Sequence, residues 1–234
     1  MKNLLYRMSL GVFLLFALGA CSEEQDNAAV LILPTGQGTF TDPRDGDVYK
    51  WVRYGKLEWM AENLRAEAEK GKYEVYVESY QTSQERELQR KRNFERFGYW
   101  YDFAAAESAV PDGWRLPTDE DWQYLERALG MSPEEVDRMD WRGDRQGETV
   151  QQKSGMDLMP GGFFDYDQLT YGVAYTPEFM GFYVFFWSST PDEALVGEAR
   201  IYRQIRYRSP KLGRFSTHPE KMMNVRCVRE ANEE

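Results

Sequence analysis

Histidine occurs once in the 234 residues, at His218, and cysteine twice, at Cys21 and Cys227. An ordinary zinc set of His and Cys ligands cannot be built from that supply. A thiolate at Cys227 would have only His218 as a base. A lone cysteine between Arg226 and Val228, in a strand-like run, reads instead as a small buried hydrophobe. Positive charge is also short: 29 Lys and Arg stand against 39 Asp and Glu, for a formal net charge of −10. Affinity for nucleic acid comes mostly from neutralising phosphates with Lys and Arg, so an acidic chain is a poor candidate for that partner and none is expected. Phosphate-cradling glycine loops, dinucleotide fingerprints and nucleophile elbows are missing as well. Aromatics, by contrast, are plentiful: 15 Tyr, 13 Phe and 7 Trp argue against disorder.

The N-terminus carries an address. Lys2 and Arg7 precede an apolar run from Ser9 to Ala20, a length suited to a secretory signal rather than a spanning helix. Leu18-Gly19-Ala20-Cys21 resembles a bacterial lipobox, which implies cleavage before Cys21 and lipidation of that residue. An uncleaved anchor or an ordinary signal peptide are the other readings. The acidic Ser22-Glu23-Glu24-Gln25-Asp26 is similar to the surface-export signal of Bacteroidota lipoproteins; the plainer reading is a solvated tether facing the periplasm. The expected organisation is a signal over residues 1–20, a lipidated cysteine and tether over 21–37, and a single domain over 38–230. The expected location is the outer membrane, held by the lipid and facing the exterior.

Local chemistry is clearest at 110–122. Pro111 and Asp112-Gly113 mark a turn, and Trp114 and Leu116 alternate around Arg115. Pro117 keeps Leu116 out of the helical region. Thr118 and Asp121 have the spacing of a capping box, and the helix that follows puts Trp122, Leu125 and Leu129 on one face before Gly130. Ser132, Pro133 and Glu135 announce a second short helix. Gln84 to Arg96 is helix material with little apolar content. Asp45-Gly46 and Gly55-Lys56 separate short strands. Gly143 to Ser154 reads as loop, and Phe185 to Ser189 as a central strand. Ile201, Arg203 and Ile205 alternate with Tyr202, Gln204 and Arg206, although Arg203 interrupts the apolar set. Few central helices flanked by short strands make the class α+β.

Several blocks then carry a resemblance: Trp59-Met60-Ala61-Glu62-Asn63-Leu64, Pro111 to Thr118 with Trp122, Leu158-Met159-Pro160-Gly161-Gly162, Phe186-Trp187-Ser188-Ser189, and Val225-Arg226-Cys227-Val228. In this order they resemble the Fibrobacter succinogenes major paralogous domain of surface lipoproteins. The resemblance implies a C-type-lectin-like fold, with short twisted antiparallel sheets, one or two central helices and long loops. It gives Trp59, Asn63, Trp114, Pro117, Thr118, Asp121, Trp122, Trp187 and Cys227 structural roles. It suggests a binding or adhesion module for polysaccharide or surface protein. The Trp114-to-Thr118 segment is also similar to one in formylglycine-generating enzymes, but those work through cysteines, and this chain has none to offer but Cys227. Two departures stand out. The family's usual cysteine before Pro111 is Val110 here, so the implied bridge to Cys227 is lost. The charged stretch over 65–97 looks like an insertion.

Several candidate chemistries and function classes remain. Asp42, Asp45 and Asp47 are close in sequence and suit either a solvated turn or, less well, calcium; the lectin triplets for calcium-dependent sugar binding are missing. A second function class is an enzyme on carbohydrate, which needs two carboxylates in one cleft. A third is a structural part of a surface assembly. The strongest signal is aromatic: residues 163–183, with Phe164, Tyr166, Tyr171, Tyr175 and Phe179, and Arg203 or Arg206 nearby, form either a ligand platform or a bulky core under a long loop.

Overall fold

The computed structural model describes residues 34–74, 82–165, 177–195 and 198–232. The first half contains β1 (Gly36–Thr41), β2 (Val48–Tyr54), β3 (Leu57–Met60), β4 (Lys72–Tyr73), α1 (Ser83–Phe97), β5 (Trp100–Tyr101) and α2 (Phe103–Ala109). The second contains α3 (Asp119–Ala128), α4 (Pro133–Val136), β6 (Trp141–Arg142), α5 (Gln146–Lys153), β7 (Tyr183–Pro191), β8 (Arg200–Arg206), β9 (Leu212–Thr217) and β10 (Val228–Glu230). One antiparallel sheet runs β1-β2-β3-β10 and a second runs β6-β9-β8-β7. The class is therefore α+β, and neither sheet closes into a barrel among the described residues.

Helix α3 organises the space between the sheets. The Thr118 hydroxyl oxygen accepts from the Asp121 amide and the Asp121 carboxylate accepts from the Thr118 amide, a complete capping box. The buried face places Trp122 and Leu125 against Val52, Leu57 and Trp59 of the first sheet and Val184, Phe186 and Ile205 of the second. Trp122 meets Trp59 at 4.7 Å and Phe186 at 5.7 Å between ring centroids. Each buried aromatic of this kind contributes roughly 1.5–3 kcal/mol.

The same helix carries two buried acids. Asp119 and Glu126 lie seven positions apart, hence on one face with Trp122. Three arginines from the second sheet reach them. Arg203 donates to Asp119 at 2.6 Å and to Glu126 at 2.7 Å. Arg142 grips Glu126 with two bonds of 2.9 Å. Arg214 donates to Asp119 at 2.6 Å and to the Asp137 carbonyl at 2.6 Å. This is why Arg203 stands in the apolar register of β8: it points inward, 1% exposed, toward a prepared pair of carboxylates.

Arg226 is the other buried cation. It donates to the Asn63 carboxamide at 2.7 Å, the Asp157 carbonyl at 2.7 Å and the Met60 carbonyl at 3.3 Å. Its guanidinium sits 5.1 Å from the Phe186 ring, and burial pushes its pKa down to about 10. Arg226 thus ties together the blocks around Trp59, Leu158, Phe186 and Cys227. Cys227 is free and fully buried, and burial raises its thiol to about 12. Val110 packs against the same cluster, so packing alone makes the join.

Some sequence expectations need correction. Residues 146–153 form α5 rather than loop, because Val150 and Gln146 face inward and Gly147 lies against the Ser209–Lys211 turn. Strand β7 is last in its ladder rather than central, but its outer edge is covered by bridges to Gly162 and Asn224, so it is buried like a central strand. The charged stretch has its ends packed, with Ala66 and Phe97 buried, while the middle of α1 is exposed.

Arg203→Met is expected to lower the unfolding free energy by about 3 kcal/mol, since it strips a shared partner from two buried carboxylates. The signature is its pH dependence. Burial would raise the Asp119 pKa, but Arg214 and Arg203 outweigh it and hold the carboxyl below 3.8. A carboxyl depressed on folding adds stability above its unfolded pKa, and that stability is lost as pH falls through the lower folded value. Denaturant unfolding should show wild type losing stability below about pH 4, with a shallower decline in the variant. An equally stable variant with the same acid slope would refute the role assigned to the network.

Candidate functional site

Strand pairing decides which side chains share the far face of the second sheet. Ile201, Arg203 and Ile205 point toward α3, so Tyr202, Gln204 and Arg206 point away. Opposite them stand Trp187, Phe185 and Tyr183 on β7 and Phe215 and Gly213 on β9. Trp141 of β6 faces Gly213 on the same side. Cross-strand neighbours of this type touch directly.

The rings form a closed circuit. Phe179 lies 5.5 Å from Tyr183, Tyr183 lies 6.2 Å from Trp141, and Trp141 lies 5.7 Å from Phe215. Phe215 to Tyr202 is 6.1 Å, Tyr202 to Phe185 is 6.1 Å, and Phe185 returns to Tyr183 at 6.0 Å. Phe185 is buried and anchors the row. Trp141, Tyr183, Tyr202 and Phe215 are half-buried, and Phe179 is 54% exposed. Gly213 leaves room for the rings to approach the strand: a Cβ there would come within 2.6 Å of the Phe215 ring and 3.1 Å of the Gln204 carbonyl. Burial raises the Tyr202 hydroxyl to about 12, so it stays protonated and able to donate. The Gln204 carboxamide makes no side-chain hydrogen bond among the described residues and offers both a donor and an acceptor. The row rests on a rigid sheet and spans the whole ladder.

Backbone strain borders this face. Among the described residues, the non-glycine residues in the left-handed region are Phe179 (φ 56°) and Arg208 (φ 59°). Phe179 starts the aromatic row, and Arg208 stands in the β8–β9 turn. Such conformations cost roughly 1–3 kcal/mol and persist where surrounding structure enforces them.

The residues expected at a ligand site divide. Phe179 and Arg206 lie on this face. Phe164 does not: it is fully buried against Trp100 and Tyr73, at 5.4 and 4.5 Å between centroids. Arg203 is on the opposite side of its strand, consumed by Asp119 and Glu126. Tyr166, Tyr171 and Tyr175 lie outside the described residues. Tyr183 closes the expected stretch 163–183, whereas the sequence does not single out Trp141, Tyr202, Gln204 and Phe215 as ligand residues, because three other short strands supply them. Their signal was the alternation of Tyr202, Gln204 and Arg206 on the face opposite Ile201 and Ile205.

The three aspartates near the first hairpin do not converge. Asp42 is fully buried and paired with Arg44 at 2.7 Å. Asp45 accepts from the Asp47 amide at 2.9 Å, and Asp47 pairs with Arg65 at 3.0 Å. Among the described residues no group of His, Cys, Asp or Glu is placed to hold a metal ion. A recess of about 260 Å³ does hold two carboxylates, Glu69 and Asp102. Burial raises the Asp102 pKa, but that carboxylate caps α2 through the Ala105 amide at 2.8 Å. A more open groove of about 400 Å³ passes Trp114, Arg115 and Ser189.

The family model described as Fibrobacter succinogenes major domain matches residues 52–229. No curated protein and no solved structure matches the chain.

Gly213→Val tests the close approach of the Phe215 ring to the strand. It is expected to lose about 1–3 kcal/mol of stability and the near-ultraviolet circular dichroism of the packed rings. Unchanged stability and spectrum would show that Gly213 does not position them.

Proposed function

Because the chain belongs to the Fibrobacter succinogenes major domain family, we propose that it is a binding module for extended glycans, presented by a lipoprotein anchored through Cys21 at the cell exterior, on a C-type-lectin-like framework. The observation that carries this reading is the circuit of partly exposed rings around Gln204 and Gly213 on the far face of the second sheet. A pyranose presents a C–H face and a rim of hydroxyls. Aromatic faces cover the first, and a few placed polar groups satisfy the second. Gln204 and the Tyr202 hydroxyl supply those groups along the rings. The rim is polar and the rings are individually half-buried, which suits a chain of sugars laid across the sheet better than one small ligand enclosed in a pocket. Preformed rings on paired strands lose little side-chain freedom on binding.

Trp141→Ala and Tyr183→Ala are each expected to weaken glycan binding at least tenfold, about 1.4 kcal/mol, without changing the far-ultraviolet spectrum. Calorimetry of the purified protein against a broad set of polysaccharides measures this. Binding that survives both substitutions, or binding of protein partners alone, would contradict the reading.

A further inference from the structure

The β8–β9 turn carries a charge arrangement that the fold does not explain. Arg206 ends β8, and Lys211 directly precedes β9. Ile205 pairs with Leu212, so the same count sets Lys211 opposite Arg206. Both then project from the face that holds Gln204, Tyr202 and Phe215. Like charges directly opposite each other on paired strands are destabilising. Arg208 adds a third cation in the turn, its guanidinium 5.1 Å from the Tyr207 ring, in the left-handed backbone region. All three cations are exposed, and none takes part in an ion pair among the described residues. This happens in a chain with ten more acidic than basic residues, where acids to neutralise them are abundant. The turn is also fixed in place: the Gly147 amide donates to Pro210 at 2.8 Å, and Gln151 donates to the Arg206 carbonyl at 3.2 Å. On β7, Tyr183 stands directly across from Arg206, so the cations continue the aromatic row.

We propose that the glycan bound on this face is anionic, its carboxylate or sulfate groups held by Arg206, Lys211 and Arg208 while its rings lie on Tyr183, Trp141 and Phe215. This rests on the glycan-binding reading above and adds the chemical class. The negative charge of the rest of the molecule repels such a polymer, so the three cations select where it lands and in which direction it runs. Guanidinium suits the task because its planar fork matches a carboxylate or sulfate with paired hydrogen bonds.

The test uses matched pairs of polymers: a polyuronate and its carboxyl-reduced neutral form, and a sulfated dextran and plain dextran. Calorimetry with the whole protein should show at least one charged form binding about tenfold or more tightly than its neutral partner, with the advantage shrinking as salt rises. Arg206→Gln/Lys211→Gln should erase that advantage and leave neutral binding unchanged, and both residues are exposed enough for the variant to fold. Equal binding of charged and neutral forms, abolished by Trp141→Ala, would overturn the charge assignment and leave the aromatic face standing. Charged binding that survives Trp141→Ala and Tyr183→Ala but is lost in the Arg206/Lys211 variant would overturn the shared site. Failure of all four polymers to bind would overturn both.

Discussion

Two carboxylates on one helix face, Asp119 and Glu126, meet three arginines from the adjoining sheet, and the arrangement of the molecule depends on that meeting. Burying a charge is costly unless its partners are complete. Here every one of the five groups is buried, and each acid takes bonds from more than one guanidinium. Such a network tolerates little sliding. A one-residue slip of β8 would turn Arg203 to solvent, leave both acids short of a partner, and bring Tyr202 and Gln204 inward. The register that satisfies the charges is therefore the same register that presents the aromatic row on the opposite side. In this sense the ion network and the candidate site are two faces of one sheet.

A second constraint acts at the centre of the chain's family-specific blocks. Arg226 has carbonyl and carboxamide oxygens as partners and an aromatic ring beside it. Those oxygens come from segments near positions 60, 63 and 157. One side chain thus fixes the meeting of the first sheet, the segment at Asp157, and the C-terminal segment. With valine at position 110 and Cys227 unpaired, no covalent bridge assists. The chain depends on this polar hub and the surrounding aromatic packing.

What was readable in the sequence follows from whether the signal is local. The capping box at Thr118, the N-cap at Ser132 and the Asp45-Gly46 hairpin are decided within a few residues, and the structure has them where the spacing places them. Helix α5 was not readable, because its inward side chains, Gln146 and Val150, are too few to show a period. Arg203 could be noticed as an intruder in an apolar register but not explained, since its partners lie 84 and 77 positions away. The density of aromatics near 163–183 includes Phe179 and Tyr183 of this row, yet it put Phe164 on the surface, where the structure buries it. The ladder recruits Trp141, Tyr202 and Phe215 from strands that have no aromatic density of their own.

The central claim is that the far face of the second sheet is where a glycan binds. Mapping amide and indole chemical-shift changes on the labelled protein during titration with an anionic oligosaccharide tests it most directly. The account predicts that perturbations concentrate at Trp141, Tyr183, Tyr202, Gln204, Arg206 and Phe215 and leave the α3 capping box at Thr118 unmoved. Perturbations centred instead on the groove beside Trp114 and Ser189, with the aromatic row silent, would contradict it.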